Sequence, residues 1–112
     1  GGAQPAAVAA NRQAMFDVVS TSSGACWSVT AYCPAPGVGP KSPADDGYRP
    51  GFAAELMLKD LRLSQHAAAA VDAATPMGAR AAALYEDFVA NDGKGMDFSA
   101  VLPWLKNKSR RA

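Results

Sequence analysis

A lysine and an aspartate stand side by side in an apolar segment of this 112-residue chain. If the segment is helical, Phe52 and Leu63 lie within about 40° of Leu56 on the helical wheel. Lys59 then lies about 20° from Phe52, and Asp60 falls inside the same apolar arc. Charges on a buried face are costly unless they are paired. The pattern therefore predicts either that neighbours neutralise Lys59 and Asp60 or that both face a site.

Two interpretations of Lys59 follow from its spacing alone. In the first, Lys59 pairs with Glu55 four residues earlier, and Asp60 caps a neighbouring group; such a pair contributes a few tenths of a kcal/mol. In the second, Lys59 presents a cation to an anionic ligand, through a phosphate, a ribose hydroxyl or a carboxylate. Asp60 would then orient the lysine, and Phe52 could pack on a flat ligand ring.

The remaining chemical groups give weaker signals. Trp27 and Tyr32 are loop aromatics, which either fill a core or contact a ligand. His66 is the only histidine and falls on the more polar arc of its helix, so it is predicted to be solvated. Cys26 and Cys33 lack CxxC spacing and one histidine cannot complete a zinc site, so reduced thiols and no metal are expected.

Composition excludes several classes of protein. Hydrophobic residues make up 49% of the chain, charged residues 19%, and the net charge is +1, which favours a soluble globular domain without a nucleic-acid or membrane partner. The acidic pairs at 45–46 and 86–87 and the basic run at 106–111 are predicted to be solvated, the last as a frayed tail. The chain does not begin with Met, and we expect an internal start within a longer protein.

The elements that must position these groups are predicted to be helices. No segment alternates with period 2 over a useful length, so the fold class is all-α. Five of the eight prolines fall at 25–50, which predicts no regular structure there. Helices are predicted at 11–19 with Asn11 as cap, at 52–74, at 76–90 after Thr75, and at 97–106 with Asp97 as cap and a bend at Pro103.

Several segments resemble one family in the same order along the chain. The longest are SSGACWSVTAYCPAPGV at 22–38 and GYRPGFAAELMLKDLRLSQ at 47–65, followed by Thr75-Pro76-Met77-Gly78, Leu84-Tyr85 and Asp97-Phe98-Ser99. They are similar to the C-terminal domain of the 3-hydroxyisobutyrate dehydrogenases, which are NAD(P)-dependent β-hydroxyacid dehydrogenases. The resemblance spans about residues 11–105.

The resemblance implies a fold and a cofactor. Enzymes of this family bind NAD mainly through an N-terminal Rossmann domain, followed by an all-helical C-terminal domain like that of 6-phosphogluconate dehydrogenase-like enzymes. Residues 1–112 would be that helical substrate and dimerisation domain. The family's catalytic lysine and asparagine precede the matched region, and no GxxxKxxxN pattern occurs here, so no catalytic residue is expected in this chain.

The resemblance also implies roles for individual residues. Lys59, in a Lys-Asp-Leu motif, is expected to reach the bound NAD, and Phe52 to lie near the nicotinamide. Asp60 is expected to support the hydrogen bonds of the reaction centre. Trp27 and Tyr32 match aromatics that line the substrate pocket.

For the whole enzyme, the resemblance implies NAD-dependent oxidation of 3-hydroxyisobutyrate to methylmalonate semialdehyde in valine breakdown. Related reductases of tartronate, glyoxylate or succinic semialdehyde are the nearest alternative, and a non-catalytic oligomerisation module is an alternative of another class. A small hydroxy acid and a second copy of the chain are the expected partners. The expected location is the cytoplasm in a bacterium or the mitochondrial matrix in a eukaryote.

Overall fold

The computed structural model describes residues 5–111, and the side chains of residues 11–109. The described residues form helices and turns without a strand, which confirms the all-α prediction. The α-helices are α1 (Pro5–Val19), α2 (Trp27–Thr30), α3 (Ala54–Ala70), α4 (Pro76–Phe88) and α5 (Val101–Arg111). Two 3-10 turns (Pro43–Asp46 and Phe98–Ala100) and one π-helical turn (Val89–Gly93) lie between them.

The chain divides into two compact units, with the boundary between Tyr48 and Arg49. The first unit contains α1, α2 and the proline-rich segment, and the second contains α3, α4 and α5. Each unit has its own set of buried residues.

In the first unit, α1 packs through Phe16 against the buried residues Cys33, Ala35 and Val38. The prediction that Asn11 caps this helix is wrong, because α1 runs through Asn11 from Pro5. The alanine-rich stretch before Asn11 continues the helix, since alanine has the highest helix propensity of all residues.

The proline-rich segment is more regular than its composition predicts. Both α2 and the 3-10 turn Pro43–Asp46 lie inside residues 25–50, so the prediction of no regular structure there is wrong. Proline is compatible with the first position of a helical turn, where its missing N–H would have no partner in any case, and Pro43 occupies that position.

Side chains rather than a large core hold this segment together. The Asp45 carboxylate accepts the Gly37 N–H at 2.6 Å and the Ser42 N–H at 2.9 Å. These two hydrogen bonds hold the pKa of Asp45 below its usual value, because they favour the ionised form. The Tyr48 hydroxyl donates to the Pro34 carbonyl at 2.8 Å. Asp45 is therefore an exposed residue with a structural role, and not simply solvated as predicted.

In the second unit, α3 and α4 form an antiparallel hairpin. Next to the turn, the Thr75 hydroxyl donates to the Gln65 side chain at 3.3 Å; further away, Arg62 pairs with Glu86 at 2.7 Å. Pro76 opens α4 as predicted, but Thr75 makes no capping hydrogen bond with its side chain. The helix α3 is shorter than predicted, ending at Ala70 instead of residue 74, whereas α4 ends at Phe88 and continues past the predicted residue 90 as the π-helical turn Val89–Gly93.

The buried face of α3 is not the face that the apolar pattern indicated. Ala54 and Leu58 are buried, whereas Leu56 and Leu63 are 49% and 57% exposed. Phe52 precedes the helix and does not share a helical face with Leu56. The predicted inward arc of Phe52, Leu56 and Leu63 is therefore wrong: leucines occur on both sides of the helix, and periodicity alone selected the outward side.

Phe88 closes the core of the second unit. Only 2% of it is exposed, and its ring lies 5.3 Å from that of Trp104 on α5 and 6.1 Å from that of Tyr85. A Cβ at Gly93 would lie 2.8 Å from this ring, so the π-helical turn needs glycine there. The helix thus changes its winding where Phe88 fills the core.

The last helix is longer than predicted. Pro103 is tolerated because it lies in the first turn of α5, where a missing N–H costs little. The basic run predicted to be a frayed tail continues this helix to Arg111. Lys108 pairs with Asp87 at 2.8 Å and lies 5.0 Å from the centre of the Trp104 ring.

Candidate functional site

Lys59 and Asp60 lie on the outward face of α3. Both are exposed, and neither makes an ion pair or a side-chain hydrogen bond within the described part of the chain. The pair predicted between Glu55 and Lys59 does not form, and the Glu55 carboxylate accepts the Gly95 N–H at 2.9 Å. Because both charges are exposed, they lose little hydration free energy on folding. The interpretation of Lys59 as the partner of Glu55 is wrong.

The same face carries exposed leucines. Leu56 and Leu63 are seven positions apart, which is about two helical turns. Lys59 and Asp60 lie between them, so the four side chains form one stripe along the helix. A helix that is apolar both toward its core and away from it is typical of one that packs on two sides. We call these four residues the outward stripe of α3.

Phe52 is held at the entrance to α3. Its N–H donates to the Asp97 carboxylate at 2.9 Å, and its carbonyl accepts the Phe98 N–H at 2.8 Å. Its ring meets the Phe98 ring edge to face, with centroids 5.8 Å apart. Phe52 is only partly buried, so part of its side chain is available to a ligand.

Asp97 is the residue whose importance the sequence underestimates. It caps the Phe98–Ala100 turn as predicted, accepting the Ser99 N–H at 3.0 Å. It is also fully buried and accepts the Gly51 and Phe52 N–H groups, 46 and 45 residues earlier in the chain. The motif Asp-Phe-Ser signalled the cap, but no local pattern could signal donors so distant in sequence.

Tyr85 gives this region a pH dependence that can be measured. Its hydroxyl donates to the Phe98 carbonyl at 2.9 Å, and burial, with a smaller contribution from the Asp97 charge, raises its pKa from 10.0 to about 12. Because folding favours the protonated phenol, its stabilising effect is complete below pH 10 and is lost as the pH rises toward 12.

We expect Tyr85→Phe to be less stable than the wild type at pH 7 by about 1 kcal/mol, because one hydrogen bond is lost. The difference should shrink between pH 10 and 12, where only the wild type loses the contribution of Tyr85. Urea unfolding of both proteins at pH 7 and pH 11 measures it. A difference that stays constant with pH would contradict the assignment.

Trp27 and Tyr32 lie together in the first unit. Their rings stack with centroids 4.8 Å apart and an interplanar angle of 24°, and 61% of Trp27 is exposed. A tryptophan this exposed does not fill a core, so the core-filling interpretation does not account for Trp27, although Tyr32 is partly buried. Its role in a substrate pocket stays a prediction.

Of the other candidates, His66, Cys26 and the acidic pair at 86–87 reach the surface, whereas Cys33 is buried. His66 is exposed as predicted, and Cys26 and Cys33 are both free thiols. Glu86 and Asp87 are partly exposed and engaged in ion pairs. Among the side chains at 11–109, no three potential ligands are grouped so as to hold a metal ion. Over the described residues, the helices are too short or too polar to cross a membrane.

Comparison with known proteins assigns this arrangement to a class. A family model described as "NAD-binding of NADP-dependent 3-hydroxyisobutyrate dehydrogenase" matches residues 5–105. The chain is 44% identical over 97 residues to a probable 3-hydroxyisobutyrate dehydrogenase of Mycobacterium tuberculosis, covering 87% of this chain and 33% of that protein. It is also 41% identical over 87 residues to an NAD-dependent L-serine dehydrogenase of Pseudomonas aeruginosa, covering 78% of this chain and 29% of that protein.

A solved structure agrees with the sequence matches. The Mycobacterium tuberculosis 3-hydroxyisobutyrate dehydrogenase, determined with L-serine, superposes with a TM-score of 0.78 at 46% identity, covering 83% of this chain and 32% of that one. The helical fold is thus that of an NAD-binding domain of dehydrogenases. The chain belongs to the 3-hydroxyisobutyrate dehydrogenase family. It spans about a third of the length of the curated relatives that it matches.

Proposed function

We propose that this chain forms the helical wall of a dinucleotide site in an NAD-dependent β-hydroxyacid dehydrogenase. The observation that carries the proposal is the outward stripe of α3, where Lys59 and Asp60 are exposed between two exposed leucines and make no ion pair with any side chain at 11–109. In the complete protein, a domain that binds most of the NAD would cover this stripe.

The composition of the stripe fits a dinucleotide. The Lys59 ammonium is a mobile point charge that can reach a phosphate or a ribose hydroxyl. Leu56 and Leu63 offer apolar surface on either side, and Phe52 offers part of an aromatic ring near the start of the helix. We propose that Asp60 orients the ammonium once the cofactor is bound rather than binding the anionic cofactor itself, because two negative groups would repel each other.

The proposed substrates are small 3-hydroxy carboxylates. Relatives of this chain are named for 3-hydroxyisobutyrate and for L-serine, which share a CH2OH group on the carbon next to the carboxylate and differ in a methyl or an amino substituent. Of the two, we propose 3-hydroxyisobutyrate, and with it a step of valine breakdown. The stacked Trp27 and Tyr32 are proposed to border the pocket for that substituent.

The reaction assigns different tasks to the chain and to the rest of the protein. The alcohol loses a hydride from its CH2OH carbon to NAD and a proton from its hydroxyl to a base, giving an aldehyde, NADH and a proton. We propose that the base lies outside these 112 residues. Within the chain, Lys59 binds the cofactor, and Leu56 and Leu63 of the outward stripe exclude water from one side of the site.

Two measurements on the complete protein that carries this chain test the proposal. The first is a calorimetric titration with NADH, and the second is an assay of NAD reduction with 3-hydroxyisobutyrate and with L-serine. We expect binding, and a higher kcat/KM for 3-hydroxyisobutyrate. A higher kcat/KM for L-serine would overturn the choice of substrate but leave the class of reaction.

The isolated chain separates the proposal from its alternative. An oligomerisation module would self-associate without any effect of NADH, and the complete protein would reduce no NAD. If the chain is instead one domain of a dehydrogenase, the isolated chain should reduce no NAD, and the complete protein, which includes the domain that carries the base, should reduce NAD. We also propose a homo-oligomer, which light scattering would test, and a cytoplasmic location if the source is bacterial; relatives from eukaryotes include mitochondrial proteins.

A further inference from the structure

The side chain of Asp97 is a carboxyl group buried inside the second unit. Its exposed fraction is 0%, and burial of a carboxylate is costly unless hydrogen bonds compensate it. One oxygen accepts the Gly51 and Phe52 N–H groups, each at 2.9 Å. The other accepts the Ser99 N–H at 3.0 Å and the Ser99 hydroxyl. Four donors therefore surround one carboxylate, which is more than a helix cap requires.

The contacts of Asp97 join two segments that are distant in sequence. The Ala54 N–H donates to the Met96 carbonyl at 2.9 Å, and the Phe98 N–H donates to the Phe52 carbonyl at 2.8 Å. Ala53 and Asp97 form an isolated antiparallel bridge between these two hydrogen bonds. We call this set of contacts, together with the Asp97 carboxylate, the clasp.

The clasp determines where α3 begins. Ala53 occupies the N-cap position of α3 and has no side-chain capping hydrogen bond. The start of the helix is instead fixed by the backbone contacts of residues 51–54 with residues 96–98. A helix that slipped by one residue would turn each of its side chains by about 100°. The direction in which Lys59 points, less than two turns from the start, therefore depends on the clasp.

We infer that Asp97 is a positioning residue for the dinucleotide site. Its carboxylate holds Phe52 and the first turn of α3, and so presents the Phe52 ring and the Lys59 ammonium to the cofactor together. Asp97 itself is buried and does not touch the ligand. This inference rests on the proposed function and adds to it a residue that lies outside the outward stripe.

The test is Asp97→Asn in the complete protein, with the affinity for NADH measured by calorimetry well below the unfolding midpoint. Asparagine keeps one carbonyl oxygen for the Gly51 and Phe52 N–H groups, as a neutral and weaker acceptor, and turns an amide toward the Ser99 N–H, so half of the hydrogen bonds to the carboxylate are lost. We expect affinity to fall by about tenfold. Asp92→Asn is the matched control, because Asp92 is exposed on the neighbouring turn, and its affinity should equal that of the wild type.

A double-mutant cycle separates positioning from general destabilisation. If Asp97 acts through α3, Asp97→Asn should weaken binding much less in a Lys59→Ala background than in the wild type. Equal effects in both backgrounds would overturn the inference. Hydrogen exchange should also be faster at the Gly51 and Phe52 amides in Asp97→Asn, because a neutral amide oxygen is a weaker acceptor than a carboxylate. Unchanged exchange would overturn the inference as well.

Ser99→Ala keeps the experiment decisive if Asp97→Asn does not fold. It removes one hydrogen bond to the carboxylate and retains its charge, so we expect a smaller loss of affinity, again reduced in the Lys59→Ala background. Ser99→Ala with wild-type affinity in a protein whose Asp97→Asn variant fails to fold would overturn the inference. A wild-type protein without affinity for NADH would overturn the proposed function as well, so the two failures are distinguishable.

Discussion

Lys59→Ala should weaken the binding of NADH to the complete protein by about tenfold to a hundredfold, the value of one hydrogen bond to a charged group. It should leave the unfolding midpoint almost unchanged. Lys59 is exposed and makes no ion pair within the described part of the chain, so its removal breaks no ion pair there. A residue with no structural partner that still affects affinity must act on the ligand.

Two variants control this experiment. Lys94→Ala removes another exposed lysine from the same unit, and its affinity for NADH should match the wild type. Lys59→Arg keeps the charge but changes its geometry, and it should recover part of the affinity. If Lys59→Ala lowered the melting temperature by several degrees with affinity unchanged, Lys59 would be a structural residue and the proposed site would be wrong.

Phe88→Ala should cause the largest loss of stability among single substitutions in the second unit. Truncation of a buried phenylalanine costs about 3–5 kcal/mol, through lost transfer free energy and the cavity that remains. Phe88 is 2% exposed and contacts rings on both α4 and α5, so these helices cannot easily close the gap. Urea unfolding of the chain measures the free energy directly.

Met77→Ala is the matched control for Phe88→Ala, since Met77 is on the same helix but 84% exposed. Its effect should stay within about 0.5 kcal/mol. Gly93→Ala tests the same packing from the opposite side, because its new Cβ would press on the Phe88 ring from 2.8 Å. A loss below about 1 kcal/mol for Phe88→Ala would show that the core lies elsewhere.

Local signals in the sequence predicted several elements correctly. Pro76 opens α4 because proline fits the first turn of a helix, and Asp97 caps the Phe98–Ala100 turn because its side chain replaces a missing acceptor. The absence of period-2 patterns predicted the all-α fold. Each of these signals depends on residues close together in the chain, so no knowledge of distant contacts was needed.

The face of α3 could not be read from the same kind of signal. Leu58 and Leu56 differ by two positions and both belong to plausible apolar arcs, yet one is buried and the other is 49% exposed. The choice between them depends on where α4 and the Gly95–Ser99 segment pack, which is not encoded in the spacing of α3. The predicted charge on a buried face was therefore an exposed charge between two exposed leucines.

Sequence alone identified Lys59 and Asp60 as the residues to examine and indicated the family through its long motifs, because residue types and order survive without a structure. Only the tertiary structure decided that they face outward and form no ion pair among the residues that it describes. It alone also showed that the carboxylate of Asp97 holds the start of their helix through donors 45 and 46 residues away. The physical reason is that caps and propensities act between neighbours in the chain, whereas burial and buried hydrogen bonds depend on which segments meet in space.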